Sequence, residues 1–292
     1  MKQLCLFLVL LTQTTSLTLF AQEMPAYQLY TAKGKKTSFK KLVEASEKKE
    51  LILFGEFHDN PITHWLQLEL TKEMHEEFGS RLSLGFEMFE QDQQGVLNRY
   101  LSGQLDAKHL KDSLRLWPNY DTDYAPLIEF AKENQLSCVA SNVQRKYASL
   151  LFKNGRMALD TLRPEIKAQM APIDFIIDTS LSQYKEVFQM GNHMGRMGMN
   201  MVEAQAFKDA TMAQFILENR AKKADDVHIH FNGAFHSDFY QGILWYVQQK
   251  NPNIRVLTIS TVTQEDVRKL GKEHVGRADF IICVPDSMTK TH

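Results

Sequence analysis

Leu51-Ile-Leu-Phe-Gly-Glu-Phe-His-Asp-Asn60 and Val227-His-Ile-His-Phe-Asn-Gly-Ala-Phe-His236 decide the fold. Each is a short apolar run that passes through a glycine straight into polar residues. Such a run is too short for a helix, and it reads as a strand whose end carries chemistry. Four further runs, 82–86, 137–140, 255–260 and 280–284, have the same character. Amphipathic helical patterns separate them. Pro61–Phe78 places Ile62, Trp65, Leu66, Leu70, Met74 and Phe78 on one stripe, with Pro61 suited to a first helical turn. Residues 124–134 and 202–219 repeat the pattern. Strands alternating with helices predict an α/β fold, a mostly parallel sheet flanked by helices.

Residues 150–201 interrupt that rhythm. They hold helical patterns near 163–170 and 179–190, no strand, and then the run Met190-Gly-Asn-His-Met-Gly-Arg-Met-Gly-Met-Asn-Met201. The segment is expected to form a smaller helical cap over the edge of the sheet. Its closing run admits two readings. Thioethers on a glycine-rich backbone make a compliant apolar surface suited to a large flat ligand such as a porphyrin, with His193, Met194 and Met197 as contacts. The same residues also suit helix packing followed by a turn.

The first residues, one Lys, an apolar run over 4–11 and then Leu19-Phe20-Ala21, have the layout of a signal peptide spanning 1–22. The run is too short to cross a bilayer. An exported protein, periplasmic or associated with the cell surface, is therefore expected, and Cys5 lacks the small preceding residues that would favour lipid anchoring. Residues 286–292 are expected to fray. With 34 Lys and Arg against 35 Asp and Glu, the chain lacks the basic face that binding a nucleic acid needs. Cys138 and Cys283 lie in apolar runs, where they could pair or stay free, and they make no disulfide framework.

The predicted strands end in groups that can bind a proton, a metal or a substrate. Glu56 and His58 follow the first, Glu87 the second, Ser141 and Asn142 the third, and His236 the fourth. In parallel sheets the crevice outside the strands' carboxyl ends receives ligands, so adjacent strands would bring these groups together. Imidazoles titrate near neutral pH, and His58, Glu87 and His236 could hold a divalent ion while Glu56 or Glu87 acts as base or orients a histidine. A lone strand-end histidine is more often a hydrogen-bonded surface residue. Several charges retained together at buried strand ends are harder to explain without a role. His64 could lean back over this site or face solvent, His228 and His230 suit a core strand, and His75, His109 and His274 suit the surface. Tyr147 follows Arg145, and a phenolate can ligate haem iron while an arginine pairs a propionate, although most tyrosines do neither.

One ordered series of residues resembles a family. Gly55-Glu-Phe-His-Asp-Asn60 with His64 and Gln67, Phe86-Glu-Met88 with Gln94, Trp117-Pro118, Tyr124-Ala-Pro-Leu127, Ser141-Asn142, Arg145, Ala204-Gln205 with Lys208-Asp-Ala-Thr-Met-Ala213, and Asn232-Gly-Ala-Phe-His236 are similar to the ChaN-like haem-binding proteins. These lie within the wider Tiki and erythromycin-esterase superfamily. The resemblance implies a ChaN-like α/β domain over 23–285, with its helical cap at about 150–201. It also implies haem as cofactor, sometimes sandwiched in a homodimer, and a part in bacterial iron acquisition beside haem transport components of the cell envelope. In Tiki-like relatives the two Gly-x-x-His turns and the intervening Glu look like a metal-dependent peptidase site. Ala234-Phe235 and Ser237-Asp238-Phe239 depart from the family's usual second turn.

Two functions follow. A haem-binding protein would use Tyr147, Arg145, His193, Met194 and Met197. A metal-dependent hydrolase would use Glu56, His58, Glu87 and His236. An adaptor with a degenerate site is the bland third reading.

Overall fold

The computed structural model describes residues 25–191, 193, 195–222 and 225–292. The expected signal peptide and Met194 lie outside the described residues. Eight strands form one sheet: β1 (Gln28–Thr31), β2 (Lys36–Thr37), β3 (Leu51–Glu56), β4 (Leu82–Glu90), β5 (Ser137–Asn142), β6 (Val227–Gly233), β7 (Val256–Gln264) and β8 (Phe280–Pro285), in the order β2-β1-β8-β7-β3-β6-β4-β5. Pairings from β8 across to β5 are parallel, and only the β1–β8 and β1–β2 pairs are antiparallel. The six strands expected from sequence all form. The hairpin β1–β2 has no signal of comparable length.

The helices are α1 (Phe39–Ser46), α2 (Pro61–Phe78), α3 (Gln94–Leu101), α4 (Ala107–Ser113), α5 (Ala125–Glu133), α6 (Arg145–Asn154), α7 (Pro164–Lys167), α8 (Ser182–Met190), α9 (Arg196–Lys222) and α10 (Ile243–Lys250). They cover both faces of the sheet. Side chains alternate along a strand, so Ile52 and Phe54 face one core with Leu42, Leu66, Leu70, Leu97 and Leu127, while Leu51 and Leu53 face another with Leu151, Phe207 and Val247. Burial on both faces is why the strands read as continuous apolar runs. Helix α2 begins where expected because Asn60 caps it, its Oδ1 accepting from the Thr63 amide at 3.0 Å, with Pro61 in the first turn.

Residues 150–201 contain α7, α8, the end of α6 and the start of α9, with no strand among the described residues. Leu151, Leu159, Met170, Phe175 and Tyr184 of this segment share one buried cluster with α9, α10 and the Leu51–Leu53 face. Helix α9 begins at Arg196, so Met197, Met199 and Met201 ride on a helix rather than on a glycine loop. Cys138 on β5 and Cys283 on β8 are buried, free and far apart in the strand order. Residues 286–292, expected to fray, are tied back by the Thr291 amide, which donates to the Asp59 carbonyl at 3.0 Å. Among the described residues no helix is long and apolar enough to cross a membrane.

Candidate functional site

Strands β3, β6, β4 and β5 lie side by side, so Glu56, Gly233, Glu87 and Asn142 meet at one carboxyl edge. Glu56, only 1% exposed, is held from several sides. Its Oε1 accepts from the Tyr124 hydroxyl at 2.7 Å and lies 2.8 Å from His58 Nδ1, and Gln67 donates to Oε2. Burial alone would raise the Glu56 pKa, but His64 and His58 outweigh it and hold the carboxyl below its ordinary value. His58 is raised: burial opposes its charge, and Glu56 and Glu87 more than compensate. With Nδ1 bound to Glu56 the ring is fixed, and Nε2 is turned toward Gly233 of the second turn. The side chain is 36% exposed.

The second half of the site is closed. Glu87 accepts from the Gly233 amide at 2.7 Å through Oε2, and its Oε1 stands 3.1 Å from His236 Nε2. Asp209 of α9 takes His236 Nδ1, and Tyr184 donates to Asp209 at 2.8 Å. Burial works against a charged His236, yet Glu87 and Asp209 push it up to about 10. Glu87 is held far below the carboxylate range despite its burial, chiefly by His236 and then His58. Gly233 is required by close approach, since a Cβ there would stand 2.8 Å from His58 Nε2 and 3.6 Å from Glu87 Oε2. The two Gly-x-x-His turns thus converge on one another.

His58, Glu87 and His236 come together, but as a hydrogen-bonded charge network. Both His236 nitrogens are already engaged. Among the described residues no group of three His, Cys, Asp or Glu is placed to hold a metal ion.

Gln67, Tyr124, Gln205 and Asp209 stood in the family series without an assigned role, and Asp123 and Tyr184 were not singled out from sequence. Gln67 follows His64 by three residues and Asp209 follows Gln205 by four, spacings that share a helix face. Gln205 reaches His236 Nδ1 at 3.0 Å. Tyr124 and Asp123 enter through a wide turn at Tyr120–Tyr124 ahead of α5. His64 is buried, with Nδ1 3.0 Å from Gln67 Oε1 and Nε2 3.1 Å from the His58 carbonyl, so it leans over the site. His228 and His230 are core residues paired with Ser83 and Ser141. Burial pushes His230 down to about 4. They demand Gly85, where a Cβ would stand 2.5 Å from His228 Nε2.

A cleft of ≈ 640 Å³ opens beside the network, walled by Leu116, Trp117 and Pro118 and by Arg115, Arg145 and Lys146. Trp117 joins the two, its ring edge-on to His58 at 4.6 Å. Arg145 therefore lies at a ligand-sized opening. Tyr147 does not line it. Its ring packs in the second core with Ala148 and Leu151 beneath the Lys146 ammonium, 4.9 Å from the centroid, and its hydroxyl has no hydrogen-bond partner among the described residues. His193 and Met197 are exposed near the start of α9. Sequence grouped them with Tyr147 and Arg145, but neither lines the cleft.

The family model for haem-binding uptake, Tiki superfamily, ChaN, matches residues 42–247. No curated protein sequence matches the chain. Among solved structures, ChaN of Campylobacter jejuni with cofacially bound haem is 16% identical and superposes with a TM-score of 0.65, over 88% of this chain and 96% of that one. A succinoglycan biosynthesis protein, 11% identical, reaches 0.54 over 89% and 94%. An erythromycin esterase in an open conformation, 10% identical, reaches 0.53 over 90% and 98%. At these identities the likeness is one of fold.

Proposed function

The chain belongs to the ChaN family of haem-binding uptake proteins in the Tiki superfamily, and from that premise we propose that it binds haem in the cleft beside His58 and serves haem acquisition, storage or transfer at the bacterial cell envelope. The observation that carries this reading is the composition of the cleft. Leu116, Trp117 and Pro118 offer an apolar wall to a flat ring, and Arg145 and Lys146 offer cations to its carboxylates. Haem would supply an iron that needs an axial oxygen, nitrogen or sulfur. Tyr147, the residue after those two cations, packs in the second core and does not line this cleft. The signal-like start of the sequence supports an exported location, and a homodimer and envelope transport components are the partners such a role would use.

Titration of the chain from Glu23 with haemin should give a shifted Soret band at stoichiometric haem, weakened by Arg145→Glu and unchanged in position by Tyr147→Phe. An unshifted band at saturating haemin would sink the reading, and a band moved by Tyr147→Phe would restore Tyr147 as ligand.

A second reading is favoured by the Glu56–His58 pair. His58 Nδ1 is anchored to a carboxylate, which leaves Nε2, beside Gly233, as the ring nitrogen that can serve as a general base. As water oxygen attacks an ester or amide carbonyl, Nε2 would take the water proton and return it to the leaving group. With no metal-binding cluster among the described residues, this hydrolysis should survive chelator and be abolished by His58→Gln. Inhibition by chelator would restore the metal-dependent alternative with His58, Glu87 and His236 as ligands.

A further inference from the structure

The last seven residues of the sequence lie against the turn that carries His58. The Thr291 amide donates to the Asp59 carbonyl at 3.0 Å, its hydroxyl donates to Asp123 Oδ2 at 2.6 Å, and the Lys290 ammonium meets Asp59 Oδ2 at 2.7 Å. Asp123 is 3% exposed, so its partners are specific rather than solvent. The same Oδ2 accepts from Asn119 Nδ2 at 2.6 Å, and that nitrogen also donates to the His58 carbonyl at 2.5 Å. Asn119 is two residues from Trp117, whose ring abuts His58. One buried carboxylate thus links the end of the sequence, the His58 turn and the Trp117 wall of the cleft.

We propose that residues 286–292 are a strap, and that Thr291 is a positioning residue which, through Asp123 and Asn119, holds the His58 turn against Trp117 and sets the shape of the cleft mouth. The segment adds nothing to the hydrophobic cores, so its contacts act on the turn rather than on the fold. Release of the strap frees the Asp59 carbonyl and carboxylate and leaves Asp123 one donor short. The His58 backbone then loses one of the constraints that keep Nδ1 on Glu56. Lys290 is 68% exposed and its ion pair contributes little. The inference is independent of the haem reading, because its first readout needs no ligand.

The test compares the full chain with a deletion of 286–292 and with Thr291→Val, Thr291→Ser and Lys290→Ala. Amide exchange of residues 57–60 should quicken about tenfold or more in the deletion and in Thr291→Val, while the central strands keep their protection. The His58 ring, followed by NMR and assigned with His58→Gln, should titrate closer to an ordinary histidine as its hold on Glu56 loosens. The groups facing it are Glu56 and Glu87, with His236, His64, Asp59 and Asp123 around them. Thr291→Ser should restore both properties, and Lys290→Ala should change neither. Unchanged exchange and titration in both the deletion and Thr291→Val would overturn the proposal. So would loss of protection spread evenly over the sheet, which would mark a merely structural role. A haemin titration of the deletion variant then reports separately on the cleft: haem bound by neither chain counts against the haem reading alone.

Discussion

The two Gly-x-x-His turns have the same sequence pattern and opposite fates. His58 stands at the rim, 36% exposed at its side chain, held by one carboxylate and edge-on to Trp117. His236 is 7% exposed and locked between Glu87 and Asp209, with Gln205 and Tyr184 completing the enclosure. The first is equipped to meet a ligand. The second is pushed towards its charged form between two buried carboxylates, holding Glu87 ionised while burial raises Asp209. A motif therefore assigns a residue type to a place, and the surrounding elements assign the work.

That contrast can be broken in stability measurements. His236→Ala should have the largest effect, about 3–5 kcal/mol in urea unfolding, because it leaves Glu87 and Asp209 buried without their shared cation. A cost equal to that of the corresponding change at His58 would erase the distinction between the turns. The pH dependence follows in size. The folded chain keeps His236 protonated up to about pH 10, whereas its ordinary value is 6.5. Its stabilisation is complete below about pH 6.5 and fades as pH rises towards 10, by an amount on the order of a few kcal/mol. His58, also raised, contributes with the same sign. Urea midpoints at pH 7 and pH 10 should therefore fall in the parent and fall less in His236→Gln.

Gly233→Ala sharpens the comparison, since its Cβ would press on His58 Nε2 from 2.8 Å. We expect a loss of about 1–3 kcal/mol from this overpacking, together with a changed His58 NMR titration and an unchanged His236. The smallest effect should come from His58→Gln, within about 1 kcal/mol of the parent, because Glu56 keeps its Tyr124 and Gln67 donors. A loss above about 3 kcal/mol there would place His58 among the buried structural charges.

Much of the fold was legible because strands buried on both faces must be apolar throughout, which gave all six parallel strands and the start of α2. Strands β1 and β2 were not legible, because four and two residues carry too little pattern. At the site, Glu56, His58, Glu87 and His236 could be read from their places at strand ends. Asp209 stood in the family series without a role and Tyr184 was not noticed at all, since their partners lie 25 or more residues away in sequence. The grouping of Tyr147, Arg145, His193, Met194 and Met197 rested on residue type and on a place beside the expected cap, and of its described members only Arg145 lines the cleft.

By itself the sequence determined the class of fold and the four chemical groups at the carboxyl edge, because hydrophobic periodicity and strand-end polarity are local properties. Tertiary structure alone decided which histidine is open and which is enclosed, that Trp117 joins the network to a cleft, and that the last residues return to the His58 turn. Those outcomes depend on the order of β3, β6, β4 and β5 and on α9 crossing beside them. Burial and charge partners across the chain, rather than the motif, fix the work each side chain can do.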